Sequence, residues 1–178
     1  MRKIFLLVAC CVLMVSALFA QTKLGSEKGV SSIGFMAGYA IDNKSFAAGI
    51  DFRYNILAHV RLAPSVIYLF KNNNVSTWYA NVDFHYLARI TERVTIYPIM
   101  GVGLSAWQRD YLVPVTSEDD IEYRKETNSE ARLGLNLGAG VERRMTRDII
   151  LGAEFKYNLT TDRAHDQAMI LTRIAYYF

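Results

Sequence analysis

Asp83 and His85 stand two residues apart, with Arg89 further along the same segment. Residues at that spacing share one face of an extended chain, so the carboxylate could orient the imidazole for general-base work. Catalysis of that kind also needs a reacting partner, and no inward serine can be placed beside the pair from the sequence. His85 is read more simply as one polar filler among several. His165, beside Asp166, reads as a solvated loop histidine, and His59 as an inert turn histidine. A second concentration of chemistry lies at residues 110–130. There Asp110, Glu118, Asp119, Asp120, Glu122, Glu126 and Glu130 outweigh Arg124 and Lys125. Carboxylates clustered in this way attract divalent cations or a basic partner, but the spacing lacks the fixed ligand order of an EF-hand loop. The sequence therefore nominates no catalytic, cofactor-binding or metal residue and no cofactor, and an enzyme is not expected.

The elements that carry these residues are strands. Eight are expected, over residues 30–42, 46–57, 60–70, 75–90, 94–109, 131–145, 149–161 and 167–178. Alternation supports each of them, because successive strand side chains point to opposite sides. In the last, Ala168, Ile170, Thr172, Ile174, Tyr176 and Phe178 share one face. In the sixth, Leu133, Leu135, Leu137, Ala139 and Val141 alternate with Arg132, Gly134, Asn136, Gly138, Gly140 and Glu142. No stretch after the N-terminal segment repeats apolar residues at helical spacing with similar regularity. The fold class expected is all-β.

The N-terminus reads as an export signal spanning residues 1–20. Arg2 and Lys3 form a positive start, residues 4–19 an uncharged apolar run, and Ala20 a small residue at the cleavage point. Cleavage after Ala17 is an alternative, as is a lipoprotein box ending at Cys10. The barrel domain then occupies residues 21–178. Cys10 and Cys11 both lie in the signal, so the exported chain has no disulfide and no thiolate chemistry. Loss of Arg2 and Lys3 takes the formal charge from +3 to +1, and no basic stripe suggests nucleic acid.

Alternation alone does not say which face is outside. A lipocalin-like soluble carrier would turn the apolar face inward around a ligand, whereas a membrane barrel turns it towards lipid. Aromatic residues on the apolar face gather near the strand ends. Tyr39, Phe46, Tyr68, Phe70, Trp78 and Tyr157 would form one girdle, and Tyr54, Phe84, Tyr86, Tyr176 and Phe178 the other. The opposite face holds charges of both signs together with nine glycines, among them Gly34, Gly101, Gly140 and Gly152, which suits a crowded interior. Pro64 and Pro98 lie on the apolar face, where each removes a ladder donor under either reading. The girdles and the glycines favour the membrane barrel. Connections at residues 55–59, 90–93 and 145–148 are expected to be tight. Those at 41–45, 70–77, 110–130 and 160–166 are expected to be longer and to lie outside the cell.

Residues 133–142, LGLNLGAGVE, followed by a short turn and the GAEFKY of residues 152–157, resemble the penultimate hairpin of the OmpA/OmpX-type outer membrane β-barrel family, often labelled "porin family". The resemblance extends over residues 21–178. It implies a monomeric eight-stranded antiparallel up-and-down transmembrane barrel in the outer membrane of a Gram-negative bacterium, with both termini periplasmic. It implies no transport activity. Phe178 at the end of an alternating strand is similar to the terminal signal that the barrel assembly machinery reads. The resemblance covers the barrel alone, so no cell-wall anchoring role is expected from it.

The inward residues expected are Asp51, Arg53, Arg61, Asp83, His85, Arg89, Arg132, Glu142, Glu154, Lys156 and Arg173. Eight strands enclose a lumen only wide enough for side chains, so these charges must pair and plug it. A narrow outer-membrane channel is the competing reading. Tyr111, Leu112, Val113 and Val115 would extend the third outer hairpin beyond the membrane and offer a strand edge to a surface partner. The partners expected are outer membrane lipid, the assembly machinery and a surface ligand at residues 110–130, and the role expected is structural or surface interaction.

Overall fold

The computed structural model describes residues 28–116, 121–161 and 165–178, with only the backbone described for residues 112–116, 121–123 and 125. The expected signal at residues 1–20 and the acidic residues Glu118, Asp119 and Asp120 lie outside the described residues. Nine strand segments run in order as β1 (Ser31–Ala40), β2 (Ser45–Leu57), β3 (Val60–Asn72), β4 (Val75–Tyr86), β5 (Ala88–Arg89), β6 (Val94–Thr116), β7 (Ile121–Arg144), β8 (Ile149–Thr160) and β9 (Gln167–Tyr177). They pair as β4-β3-β2-β1-β9-β8-β7-β6-β5, every pair antiparallel, and β4 also pairs with β6. That last pairing closes the sheet on itself. Segment β5 continues the line of β4 beyond a break at Leu87, whose N–H donates to His59 O at 2.8 Å. The nine segments therefore make eight barrel strands.

The apolar face looks outward. Phe35, Phe46, Met100, Leu133, Ile170, Ile174 and Phe178 are all more than half exposed, and every long strand contributes to this belt. A water-soluble monomer rarely exposes a contiguous apolar patch beyond a few hundred Å², so this belt requires lipid. The lipocalin-like arrangement has the opposite sense. Rings cluster at both edges of the belt, with Tyr68 against Trp78 at 4.6 Å and Phe70 at 5.3 Å, and Phe52 near Phe178 at 6.5 Å. These are the two girdles expected at the interfaces.

The outer connections differ from expectation. Asn72 pairs with Val75, leaving Asn73 and Asn74 as a two-residue turn with φ of 47° and 63°. Positive φ at both central residues is the type I′ geometry that matches strand twist, and asparagine tolerates it. The supposed long loop at residues 70–77 is thus a tight hairpin. The segment at residues 110–130 is likewise not a loose loop, because β6 and β7 stay paired out to Thr116 and Ile121. Its β-branched and aromatic residues, Val113, Val115, Ile121 and Tyr123, supply the strand preference that the acidic residues obscure. A two-stranded ribbon therefore stands beyond the barrel rim, tied to it where Lys71 pairs with Asp110.

A closed barrel opens only by breaking a whole ladder at once. Unboiled protein from the outer membrane fraction should run at a different position from boiled protein on an SDS gel. Identical mobility in that fraction would contradict closure.

Candidate functional site in the barrel lumen

Inward side chains of the half of the lumen nearer the termini are charged, and the structure joins them into one network. Strand β2 supplies Asp51 and Arg53, two apart on its inner face. Arg53 Nε donates to Asp51 Oδ2 at 2.5 Å, Nη1 to Tyr97 OH at 2.9 Å, and Nη2 to Glu154 Oε1. Tyr97 OH in turn donates to Glu154 Oε1 at 2.8 Å. Arg61, from β3, holds Glu142 of β7 with two parallel bonds of 2.7 Å, the bidentate geometry that favours arginine over lysine. Arg173, from β9, extends the network by donating to Asp51 at 2.7 Å and to Ser32 Oγ at 3.1 Å. Further along the lumen, Lys156 Nζ meets Asp83 Oδ2 at 2.6 Å. Asn136 donates to Asp83 and Asn81 at 2.7 and 3.0 Å and accepts from Asn158 at 2.6 Å.

All eight ionised residues, Asp51, Asp83, Glu142, Glu154, Arg53, Arg61, Lys156 and Arg173, are buried. Room for them comes from the neighbouring strands. Gly34 sits opposite Asp51, Gly101 opposite Asp83, Gly138 opposite Lys156, Gly140 opposite both Tyr97 and Glu154, and Gly152 opposite both Glu142 and Arg173. A Cβ on Gly140 would come within 2.5 Å of the Tyr97 ring, and one on Gly101 would collide with the Asp83 carboxylate.

The other half of the lumen holds an apolar cluster among buried polar residues that include Thr77, Ser105 and Gln167. Met36, Ile67, Leu69, Tyr79, Met169 and Leu171 pack together as a buried cluster with Trp107 against it. Sequence reading missed this layer, since it looked for inward charges. Its signal was present in the alternation itself, where Met36, Ile67, Leu69 and Leu171 occupy the inner register of their strands.

Of the expected inward residues, nine are buried as predicted, while Arg89 and Arg132 sit half-exposed at the two rims. The structure does not bring Asp83 to His85. Both Asp83 oxygens are taken by Lys156 and Asn136, and the His85 ring stacks on Tyr97 at 4.7 Å and 15°. His165 is half-buried and packs edge-on against Trp107 at 4.9 Å, where a solvated histidine was expected. Its neighbour Asp166 accepts from Thr160 N at 2.8 Å and so braces the last hairpin. His59 stacks on Tyr86 at 6.0 Å. Among the described residues, no group of three or more His, Cys, Asp and Glu could hold a metal ion.

The family described as outer membrane protein beta-barrel domain matches residues 12–178. The chain belongs to that family, and its place is the outer membrane. Solved structures agree in fold. The N-terminal β-barrel domain of Pseudomonas aeruginosa OprF is 16% identical with a TM-score of 0.62, over 85% of this chain and 98% of that one. Neisserial surface protein A is 15% identical with a TM-score of 0.61, over 86% and 99%. Ail, the attachment invasion locus protein of Yersinia pestis, is 18% identical with a TM-score of 0.56, over 85% and 100%. No curated protein sequence matches the chain.

In this family member the buried network makes single substitutions costly. Glu154→Gln removes one of the three carboxylates around Arg53, leaving Asp51 and Glu142, and should destabilise the folded barrel by about 2–4 kcal/mol. Gly101→Ala should cost about 1–3 kcal/mol by overpacking. Gly152→Ala, whose methyl meets nothing closer than 3.3 Å, should cost less than either. Urea midpoints in detergent micelles check the order; equal midpoints for all three would contradict it.

Proposed function

We propose that this chain is a monomeric, non-enzymatic structural barrel whose lumen is held shut by paired charges and whose contacts with other molecules are made at its outer ribbon. The observation that carries the reading is the buried set of four acids and four bases, each paired with an opposite charge in one six-residue network and one separate Asp83–Lys156 pair, capped on one side by the Met36–Leu171 cluster. Opposite charges paired in a low dielectric bind one another rather than a passing ion, and the apolar cluster beyond them narrows the lumen further. In this reading both termini face the periplasm, and the ribbon of β6 and β7 stands at the cell surface. The ribbon's described side chains include Glu126 and Glu130, and its chemistry favours a cationic or extended peptide partner.

The competing channel is tested directly. Folded chain in a planar bilayer should give no reproducible discrete conductance, and stable unitary steps would overturn the reading. The C-terminal strand has its own test. Phe178 N donates to Ser31 O at 2.9 Å, a backbone bond that a side-chain change leaves intact. Phe178→Ala should therefore refold in detergent at close to the normal rate, yet accumulate several-fold less heat-modifiable barrel in cells. Equal accumulation would remove the assembly machinery as a reader of this residue.

A further inference from the structure

The end of the barrel that carries both termini is basic, and its arginines are concentrated on two adjacent turns. The turns at residues 90–93 and 145–148 lie side by side, with Arg144 N donating to Arg93 O at 2.8 Å and Arg143 paired across the ladder with Val94. Arg93 and Arg147 are exposed on these turns. Arg143 occupies the lipid-facing register of β7, with Val141 and Met145 on the same face and Leu151 opposite it on β8. Among the described residues none of these three forms an ion pair. Of the nearby acids, Glu142 is already committed to Arg61 and Arg53, and the exposed Glu92 and Asp148 on the same turns still leave Arg93, Arg143, Arg144 and Arg147 in excess by two charges, four against two.

An arginine on a lipid-facing strand end cannot leave its guanidinium in hydrocarbon. It extends towards the headgroup layer, and a guanidinium there matches a phosphate with two parallel bonds. We propose that Arg93, Arg143 and Arg147 together form a docking site for the phosphates of anionic glycerophospholipids in the leaflet at this end. The position of Arg143 decides for a lipid over a soluble anion, because the ligand must meet it at the edge of the apolar belt. The excess of positive charge decides for a net-anionic headgroup, since a zwitterionic one brings its own cation.

The test uses the full folded chain in detergent, with bound lipid counted by native mass spectrometry. Phosphatidylglycerol should be retained over phosphatidylcholine by roughly fivefold or more, the scale set by one basic residue at an anionic surface. The variant R93Q/R143Q/R147Q should lose that preference while keeping its heat-dependent gel shift, and R143Q alone should lower it. Replacing Arg109 and Arg124 at the opposite end should leave it unchanged. Equal retention of the two lipids by the wild-type chain would overturn the proposal, as would an undiminished preference in the triple variant. Displacement of phosphatidylglycerol by inorganic phosphate or polyglutamate at matched charge would reassign the site to a soluble anion and overturn it too.

Discussion

A hydrocarbon solvent offers no hydrogen bond, so every backbone N–H and C=O between the two interfaces must find its partner within the chain. The pairing of β4 with β6 meets that condition by removing the last sheet edges. Much else follows from the closure. Eight strands make a cylinder too narrow for bulk water but wide enough for one layer of interdigitated side chains. Most of what points inward is therefore satisfied by other inward groups, although neither ring nitrogen of His85 makes a hydrogen bond, and whatever is large must face something small. The glycines opposite Asp51, Asp83, Lys156, Glu154 and Glu142 are the steric half of that requirement. The cross-strand ion pairs are the electrostatic half.

Such a network contributes more to specificity than to net stability. Desolvating two ions consumes much of what their attraction returns, and a well-packed apolar interior of equal volume would often hold the barrel as firmly. What the charges enforce is register. A slip of one residue between β2 and its neighbours would turn Arg53 and Asp51 towards lipid and Phe52 into the lumen, since the side-chain period is two. An apolar interior facing an apolar solvent would penalise that slip very little. In a membrane barrel, where the outside is as greasy as any core, polarity has to be placed inside if the two faces are to be told apart.

The all-β architecture, the outward apolar belt and the girdles were legible because alternation encodes them strand by strand. So were nine of the eleven inward residues, since parity alone assigns a face. Three things were not legible. Which acid meets which base depends on the register of strands distant in sequence, as with Arg53 and Glu154, and no local pattern carries it. The apolar layer of Met36, Ile67, Leu69 and Leu171 follows the same parity as the charges but resembles the outward face in composition, so parity alone did not single it out as a packed layer. The outer hairpins were misread for the opposite reason. Asn73-Asn74 and the acidic residues after Asp110 look like loop composition, whereas the first pair fits a tight I′ turn and the second segment keeps its strand pairing.

The charged network and the apolar cluster would contribute differently to the proposed plug. Ion pairs in a narrow polar tube can exchange partners, because Arg53 already reaches Asp51, Glu142 and Glu154 within one arrangement. Rearrangement among them costs far less than exposing any one of them alone. The cluster formed by Met36, Ile67, Leu69, Tyr79, Met169 and Leu171 has no such alternatives: parting it creates a void whose lining has nothing to contact. In the proposed plug the charged residues can therefore exchange partners while the apolar cluster stays packed. Charge pairing and apolar packing are two tasks, and a barrel of eight strands has room for each because they are stacked along its length.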